Sequence, residues 1–437
     1  MEKIRKRVKA FLSNRGMYYG DISIQDTCDI FLREMDRGLA GRKSSLAMLP
    51  TYIETEREVP RNKPVIVMDA GGTNFRAATI TFTPAGEAVI ADFKVYPMPG
   101  ILTEVSREEF FGTMAGYVRE IAGKSPNVGF CFSYPIEMFP SKDGRALYFS
   151  KEIKAPTAAG HMIGENMGQA LRRLGLPERR HFVLLNDTVA TLLAGRADTS
   201  GRKFDTYIGF ILGTGTNTSY VEQNAKITKA KDLDPAKSQI VNVESGGFGK
   251  APRGRIDKKF DAASVSPGVN TFEKMISGAY VGPLCLVTAI GAADAGLFSK
   301  TAAAKLDGIP VVTTKDVSNF LSRPEGGDNP LSVALADATQ EDVVALYYLA
   351  DALVERAAKL TAINLSSVSL KSGKGQNPCR PVCIVAEGTT FYRLKSLRRK
   401  TEYYLKQFLV EKKRVYYEIV TIENATLIGA AIAGLTN

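Results

Sequence analysis

One pattern occurs twice along this 437-residue chain. Residues 65–69 form a short apolar run that closes on Asp69 and Gly71-Gly72, and alternating runs follow over residues 75–82 and 88–96. The reading is strand, tight glycine turn, strand, strand. Residues 207–212 are again apolar, Gly213 to Asn217 again turn, and residues 218–222 and 240–244 supply two more alternating runs. Two copies of one meander predict two similar lobes, each offering a glycine turn to a shared cleft.

Helical and extended patterns alternate after each copy. The first copy leads to a helix over residues 106–122 with Ser106 as its cap and a strand over 128–132. A helix over 161–174, a strand over 182–185 and a helix starting at Asp187 come next. After the second copy, helices are predicted over 342–365 and 390–409, strands over 382–386 and 415–422, and a last helix; residues 322–330 read as an exposed loop. Alternation of this kind belongs to the α/β class.

Composition narrows the chemistry. Hydrophobic residues make up 44% of the chain and charged residues 24%, and no apolar run approaches the roughly 20 residues of a membrane helix. The basic start, residues 1–9, reads as a surface helix rather than a leader sequence. Cys28, Cys131, Cys285, Cys379 and Cys383 are odd in number and scattered, which suits a reducing cytoplasm better than a disulfide framework. With only His161 and His181 present, acid and base work falls to carboxylates or lysine. The net charge of +11 is spread along the chain without a stacking or basic motif, so no nucleic acid or membrane partner is expected. The densest cationic cluster, Arg393 to Lys400, reads as a solvated helix face.

Gly71-Gly72-Thr73-Asn74 and Gly213-Thr214-Gly215-Thr216 both follow strands. Glycines let backbone N–H groups approach phosphate oxygens, and threonine hydroxyls add donors. The G-x-x-x-x-G-K-[ST] sequence is absent. Two opposed hairpins are the alternative way to hold a triphosphate.

Several motifs in order carry a resemblance to a known family: residues 48–52 (MLPTY), 69–76 (DAGGTNFR), 132–135 (FSYP), 186–191 (NDTVAT), 213–217 with Tyr220 and Glu222, Glu244 with Gly246 and Phe248-Gly249, and Pro267-Gly268 before residues 272–278 (FEKMISG). Together they resemble the hexokinase family, and the likeness covers most of the chain. The resemblance implies a two-lobed, actin-like ATPase (ribonuclease H-like) α/β fold. In that frame residues 1–61 are a helical segment on the large domain. Residues 62–186, completed by the helix 425–437, are the small domain, and residues 187–424 the large one. It implies ATP and Mg²⁺ as cofactors and a small-molecule hexose, with glucose foremost, as the substrate of a cytoplasmic monomer or homodimer.

Carried over residue by residue, the resemblance puts Ser133, Ser150, Lys151, Asn186, Asp187, Asn217, Glu244 and Glu273 at the sugar. Asp187 is the base for the 6-hydroxyl, with Lys151 and Arg76 supplying positive charge. Asp69 holds Mg²⁺ through water, and Gly71, Gly72, Thr73, Asn74, Gly213, Thr214, Gly215, Thr216, Gly388 and Thr389 hold the nucleotide. Keeping Asp187, Lys151 and Arg76 sets this reading apart from a non-catalytic hexose sensor of the same fold. The chain departs from the family at Phe149, Ser150 and Ser245, where tryptophan, threonine and tryptophan are usual. Glu387-Gly388-Thr389 replaces an Asp-Gly-Ser element, and residues 424–429 lack a glycine-rich stretch. That last departure predicts a loose grip on adenine and little discrimination between ATP and GTP.

Overall fold

The computed structural model describes residues 1–149, 153–176, 181–197, 201–231 and 233–437. Among these residues two large sheets form, and each begins as the repeated meander. In the five-stranded sheet Ala88–Pro97, Asn74–Phe82 and Val65–Gly71 run antiparallel, and Asn127–Phe132 and His181–Leu185 then add in parallel. In the six-stranded sheet Ser238–Asn242, Thr216–Gln223 and Thr206–Leu212 make the meander, and Val382–Glu387 and Tyr417–Val420 add in parallel. Leu49–Pro50 closes the far edge of that sheet against Ser238–Asn242. The repeat read from the sequence is thus a repeat of sheet topology.

Helices fill both faces of the sheets. The N-terminal helix Glu2–Ser13 buries Ile4, Val8, Phe11 and Leu12 in the core of the six-stranded sheet, which also takes the helix Ile24–Leu39. The longest helix, Gln340–Ser372, starts from a capping box of Thr339 and Asp342 and buries most of its length in that core. A second core lies under the helices Arg107–Val118 and Ile163–Arg173 on the five-stranded sheet. A third joins the other face of that sheet to the helices Asp187–Ala194 and Ala425–Thr436. These two helices touch backbone to backbone. A Cβ on Gly429 would stand 1.8 Å from the Ala190 carbonyl oxygen, and one on Gly129 1.8 Å from that of Ala430.

Some local expectations need correction. The helix expected over 390–409 is interrupted: Thr389–Arg393 and Leu397–Leu405 are separate, with Ser396 in the left-handed region (φ 65°) between them. The cluster Arg393 to Lys400 is not simply a solvated face, because Lys400 is pinned by Asp351 at 2.7 Å and Glu355 at 2.6 Å on the long helix. The strand expected over 240–244 stops at Asn242, and Glu244 turns into the left-handed region (φ 56°). The strand expected over 415–422 contracts to Tyr417–Val420.

Arg356 is the largest fully buried side chain, and its guanidinium forks onto Asp257, with Nη1 donating to Oδ1 at 3.0 Å and Nη2 to Oδ2. Asp257 also accepts the Gly254 N–H at 2.7 Å, so one carboxylate ties the helix Arg255–Ala262 to the long helix. Removing one partner of such a pair strands a buried charge, a loss of about 3–5 kcal/mol. Asp257→Ala should therefore lower unfolding stability by that much in urea titration, and a loss below about 1 kcal/mol would show that the guanidinium finds water instead.

Candidate active site

The two glycine hairpins come from different sheets and differ in turn length. In the first, Gly71 pairs with Asn74 and Gly72 takes φ 51°, while the Tyr134 hydroxyl fixes the Gly72 carbonyl at 2.8 Å. Thr73 and Asn74 stand exposed at its tip. In the second, Leu212 pairs with Thr216 and the Gly213 N–H donates to the Gly215 carbonyl at 2.9 Å. A Cβ on Gly215 would lie 2.5 Å from Glu273 Oε2, so a larger residue there would displace that carboxylate. The Gly278 N–H at 2.8 Å and the Thr390 hydroxyl at 2.8 Å both hold the Gly213 carbonyl.

Between the sheets lies a cavity of 320 Å³ lined by Asp69, Arg76, Ser133, Asp187, Glu387 and Thr426, among others. Asp69 is 5% exposed, with Arg76 Nη1 at 3.5 Å and the Thr426 hydroxyl donating to Oδ2 at 3.1 Å. Burial pushes its carboxyl above the usual range; Arg76 and Thr426 oppose that rise, and the negative charge of Asp187 adds to it. Burial raises Glu387 as well, again opposed by Arg76. Asp187 opens the helix Asp187–Ala194, whose cap is the Asn186 side chain accepting the Thr188 N–H at 2.9 Å. The same N–H lies 2.7 Å from Asp187 Oδ1. The helix Ala425–Thr436 also points its first turn at this cavity through Ala425 and Thr426. Two helix N-termini at one small cavity favour an anion there.

A second polar cluster extends from Asp187. Glu244 Oε1 accepts Asn242 Nδ2 at 2.7 Å and Asn217 Nδ2 at 3.2 Å. Burial pushes Glu244 up to about 7, helped by Asp187 and Glu273 and opposed by the two asparagines. Glu273 opens the short helix Glu273–Ile276 and accepts the Thr216 N–H at 2.9 Å; burial raises it too. Asp187 and Glu273 thus both act electrostatically on Glu244, to which Asn217 is hydrogen-bonded. Ser133 lines the Asp69 cavity. Ser150 and Lys151 lie outside the described residues.

Beyond the second hairpin a larger cavity, 960 Å³, runs between Thr214, Ala279, Thr313, Asn319, Thr389 and Arg393. Gly388 lines the small cavity and Thr389 the large one, so this turn spans both. Asn424 to Thr426 line the small cavity with Asp69, not the large one. The stretch without glycines therefore borders the small cavity through residues 424–426. Sequence reasoning missed Thr426 as a partner of Asp69, and Asn242 as a partner of Glu244. The first contact joins residues 357 positions apart, and the second, only two positions apart, forms because the chain turns into the left-handed region at Glu244. Among the described residues no group of three or more His, Cys, Asp or Glu could hold a metal ion, and no helix is long and apolar enough to cross a membrane.

Comparisons with known proteins agree with this geometry. Two family models described as hexokinase match, one over residues 14–197 and the other over 207–436. Rice hexokinase-5 is 29% identical over 374 residues, covering 80% of this chain and 73% of its own. Horse hexokinase-2 is 28% identical over 385 residues, 83% of this chain but 41% of that longer protein. The solved hexokinase from Schistosoma mansoni, complexed with glucose, superposes with a TM-score of 0.78 over 99% of both chains at 22% identity, which shows the shared two-lobed α/β fold. With one of the two models alone spanning more than half of it, the chain belongs to the hexokinase family and is an ATP-dependent hexose kinase.

Proposed function

We propose that this kinase phosphorylates the 6-hydroxyl of a hexose, with glucose foremost, and that Asp187 removes the hydroxyl proton. The observation that carries the reading is the position of Asp187. It opens a helix between the smaller cavity and a buried carboxylate and amide cluster, and its charge is felt at both Asp69 and Glu244. A hexose ring presents hydroxyls that donate and accept, and Asn217, Glu244 and Glu273 supply partners of both kinds, with Ser133, Asn186, Ser150 and Lys151 completing the set. The small cavity takes the transferring phosphoryl, with Arg76 and the first hairpin's Gly71 and Asn74 lining it. The large cavity, reached past Thr214 and Thr389, takes the nucleoside.

Mg²⁺ fits the acidic end. Asp69 is a buried carboxyl held above its ordinary range beside Asp187, and its neighbours there, Thr426 and Glu387, are oxygen donors. Asp69 would hold the ion, through water and together with donor phosphates. Once bound it would neutralise charge on the phosphate oxygens. The chain's own residues position the two reactants, and closure of the lobes on sugar excludes water as a competing acceptor. In this reading residues 62–186 with 425–437 form the small domain. Residues 187–424 form the large one, on which residues 1–61 pack.

Removing the base tests the first assignment. General-base assistance contributes about 10²–10⁴-fold, so Asp187→Ala should lose at least that much in kcat while circular dichroism stays unchanged; a variant keeping more than about a tenth of wild-type turnover rejects the role.

The carboxylates are tested at the sugar. Loss of a hydrogen bond to a charged group costs about 1.5–3 kcal/mol, roughly 10- to 100-fold in KM. Glu244→Ala and Glu273→Ala should each raise the hexose KM by that factor, and an unchanged KM in both removes them from the site.

Glu244 also predicts a pH dependence. With its carboxyl pushed up to about 7, it is ionised above that pH and protonated below. The ionised form accepts from two sugar hydroxyls, so calorimetric hexose affinity should fall as pH drops through about 7, and Glu244→Gln should flatten that limb. A wild-type profile identical to that of the glutamine variant would contradict it.

A further inference from the structure

The turn that carries Glu244 is braced from outside by residues 44–48, between the helix Ile24–Leu39 and the strand Leu49–Pro50. The Met48 N–H donates to the Val243 carbonyl at 3.3 Å, one residue before Glu244. Ser45 packs flat on the same turn: a Cβ on Gly247 would stand 2.9 Å from the Ser45 carbonyl oxygen, and one on Gly249 3.3 Å from the Ser45 Cβ. Any displacement of residues 44–48 is passed directly to the backbone that aims Glu244.

The brace is fastened at one carboxylate. Glu34, 5% exposed on the helix Ile24–Leu39, accepts on Oε2 the Ser45 N–H at 2.8 Å, the Ser45 hydroxyl at 2.8 Å and the Ser44 hydroxyl at 3.3 Å. These donors hold its carboxyl below the usual range against the effect of burial, with help from Arg37. The Ser44 hydroxyl also donates to the Glu34 carbonyl at 2.8 Å. The connection is therefore set by hydroxyls facing a nearly buried negative charge. Just before it, Gly41, Arg42 and Lys43 are exposed, Gly41 with φ 67°, and among the described residues neither Arg42 nor Lys43 makes an ion pair.

We propose that Ser44 is a phosphorylation site for an arginine-directed serine kinase, and that its phosphorylation releases the brace and weakens hexose binding. Arg42 and Lys43, exposed and without ion-pair partners, present the basic lead-in that an acidic kinase cleft recognises. The chemistry is an ordinary transfer from ATP. The Ser44 hydroxyl oxygen bonds to the γ-phosphorus, the bond from that phosphorus to the β–γ bridging oxygen breaks, ADP leaves, and the hydroxyl proton goes to the kinase base. The product exchanges a donor to Glu34 for an anion of about −1.5 to −2 charge beside it, which repels the carboxylate. The 44–48 segment then leaves Glu34, and the Glu244 turn loses its support. This inference rests on Glu244 binding the sugar.

The test uses the full chain. After incubation with an arginine-directed serine kinase and ATP, peptide mass spectrometry is expected to find phosphate on Ser44, and the hexose KM to rise about tenfold or more while the ATP KM stays within about threefold. Ser44→Ala should abolish the response to the kinase. Ser44→Asp should reproduce the raised KM, and adding Glu34→Gln should bring it back towards wild type, because the repulsion is gone. Absence of phosphate on Ser44, phosphate without a change in hexose KM, or a Ser44→Asp defect that Glu34→Gln does not relieve each overturns the proposal. Glu244→Ala measured alongside separates the two levels. If it raises the hexose KM and Ser44→Asp does not, the brace is wrong and the sugar site stands; if neither does, the sugar site itself is wrong.

Discussion

The site depends on how closely two helices approach each other. The helix that begins at Asp187 and the helix Ala425–Thr436 cross where Gly429 meets the Ala190 carbonyl, and the second helix lies on the five-stranded sheet where Ala430 meets Gly129. No side chain larger than hydrogen fits at Gly429 or Gly129 without moving a backbone. Because the crossing is so tight, both N-termini reach the same small cavity, one bringing Asp187 and the other Thr426. Asp187 and the support for Asp69 are placed by one packing contact rather than by separate loops. That contact also joins the C-terminal helix to the sheet bearing Asp69, so the chain's last residues belong to its catalytic geometry.

Electrostatics give the arrangement its direction. Asp69, Glu244, Glu273 and Glu387 are all pushed towards the neutral form by burial, and Asp187 adds to the rise at Asp69 and Glu244. A protein optimised for stability alone would not gather such groups. Each has a compensating partner of limited strength: Arg76 for Asp69 and Glu387, asparagine amides for Glu244, and a backbone N–H for Glu273. Elsewhere in the chain lysines are paired with carboxylates, on the surface as Lys94 with Glu120 and as locks between helices as Lys400 with Asp351 and Glu355.

Much of this was legible in the sequence because the repeat is carried by local patterns. Apolar runs closing on Asp69-Ala70-Gly71-Gly72 and on Gly213-Thr214-Gly215 mark the hairpins, and the hairpins mark the cleft. The cap at Ser106 was equally local, and it forms a full capping box with Glu109. What the sequence hid were consequences of tertiary contact. The helical pattern over 390–409 gives no warning of the break at Ser396, since the neighbouring residues favour helix and only packing requires the left-handed turn. Residues 240–244 alternate like a strand, yet Glu244 leaves the sheet, because its carboxylate is drawn to Asn217 and Asn242. Thr426 lies 357 residues from Asp69, and no spacing rule joins them.

The departure at Ser245 shows how the sugar side tolerates the loss of a large ring. Ser245 is fully buried, and its hydroxyl lies 3.1 Å from that of Thr218, which accepts Asn364 Nδ2 at 2.7 Å from the long helix. Thr218 follows Asn217 and Ser245 follows Glu244, so one asparagine on the long helix joins the backbones behind these two side chains. The volume of a ring has been exchanged for a hydrogen-bonded bridge of three small polar groups. Such a bridge fixes orientation where an apolar ring would fix only distance, because each hydroxyl has a limited set of donor and acceptor directions. The left-handed turn at Glu244 is therefore held on the inside by Asn364 through Ser245, and on the outside by Glu34 through Ser45. Its carboxylate is thus positioned from two helices, Gln340–Ser372 and Ile24–Leu39.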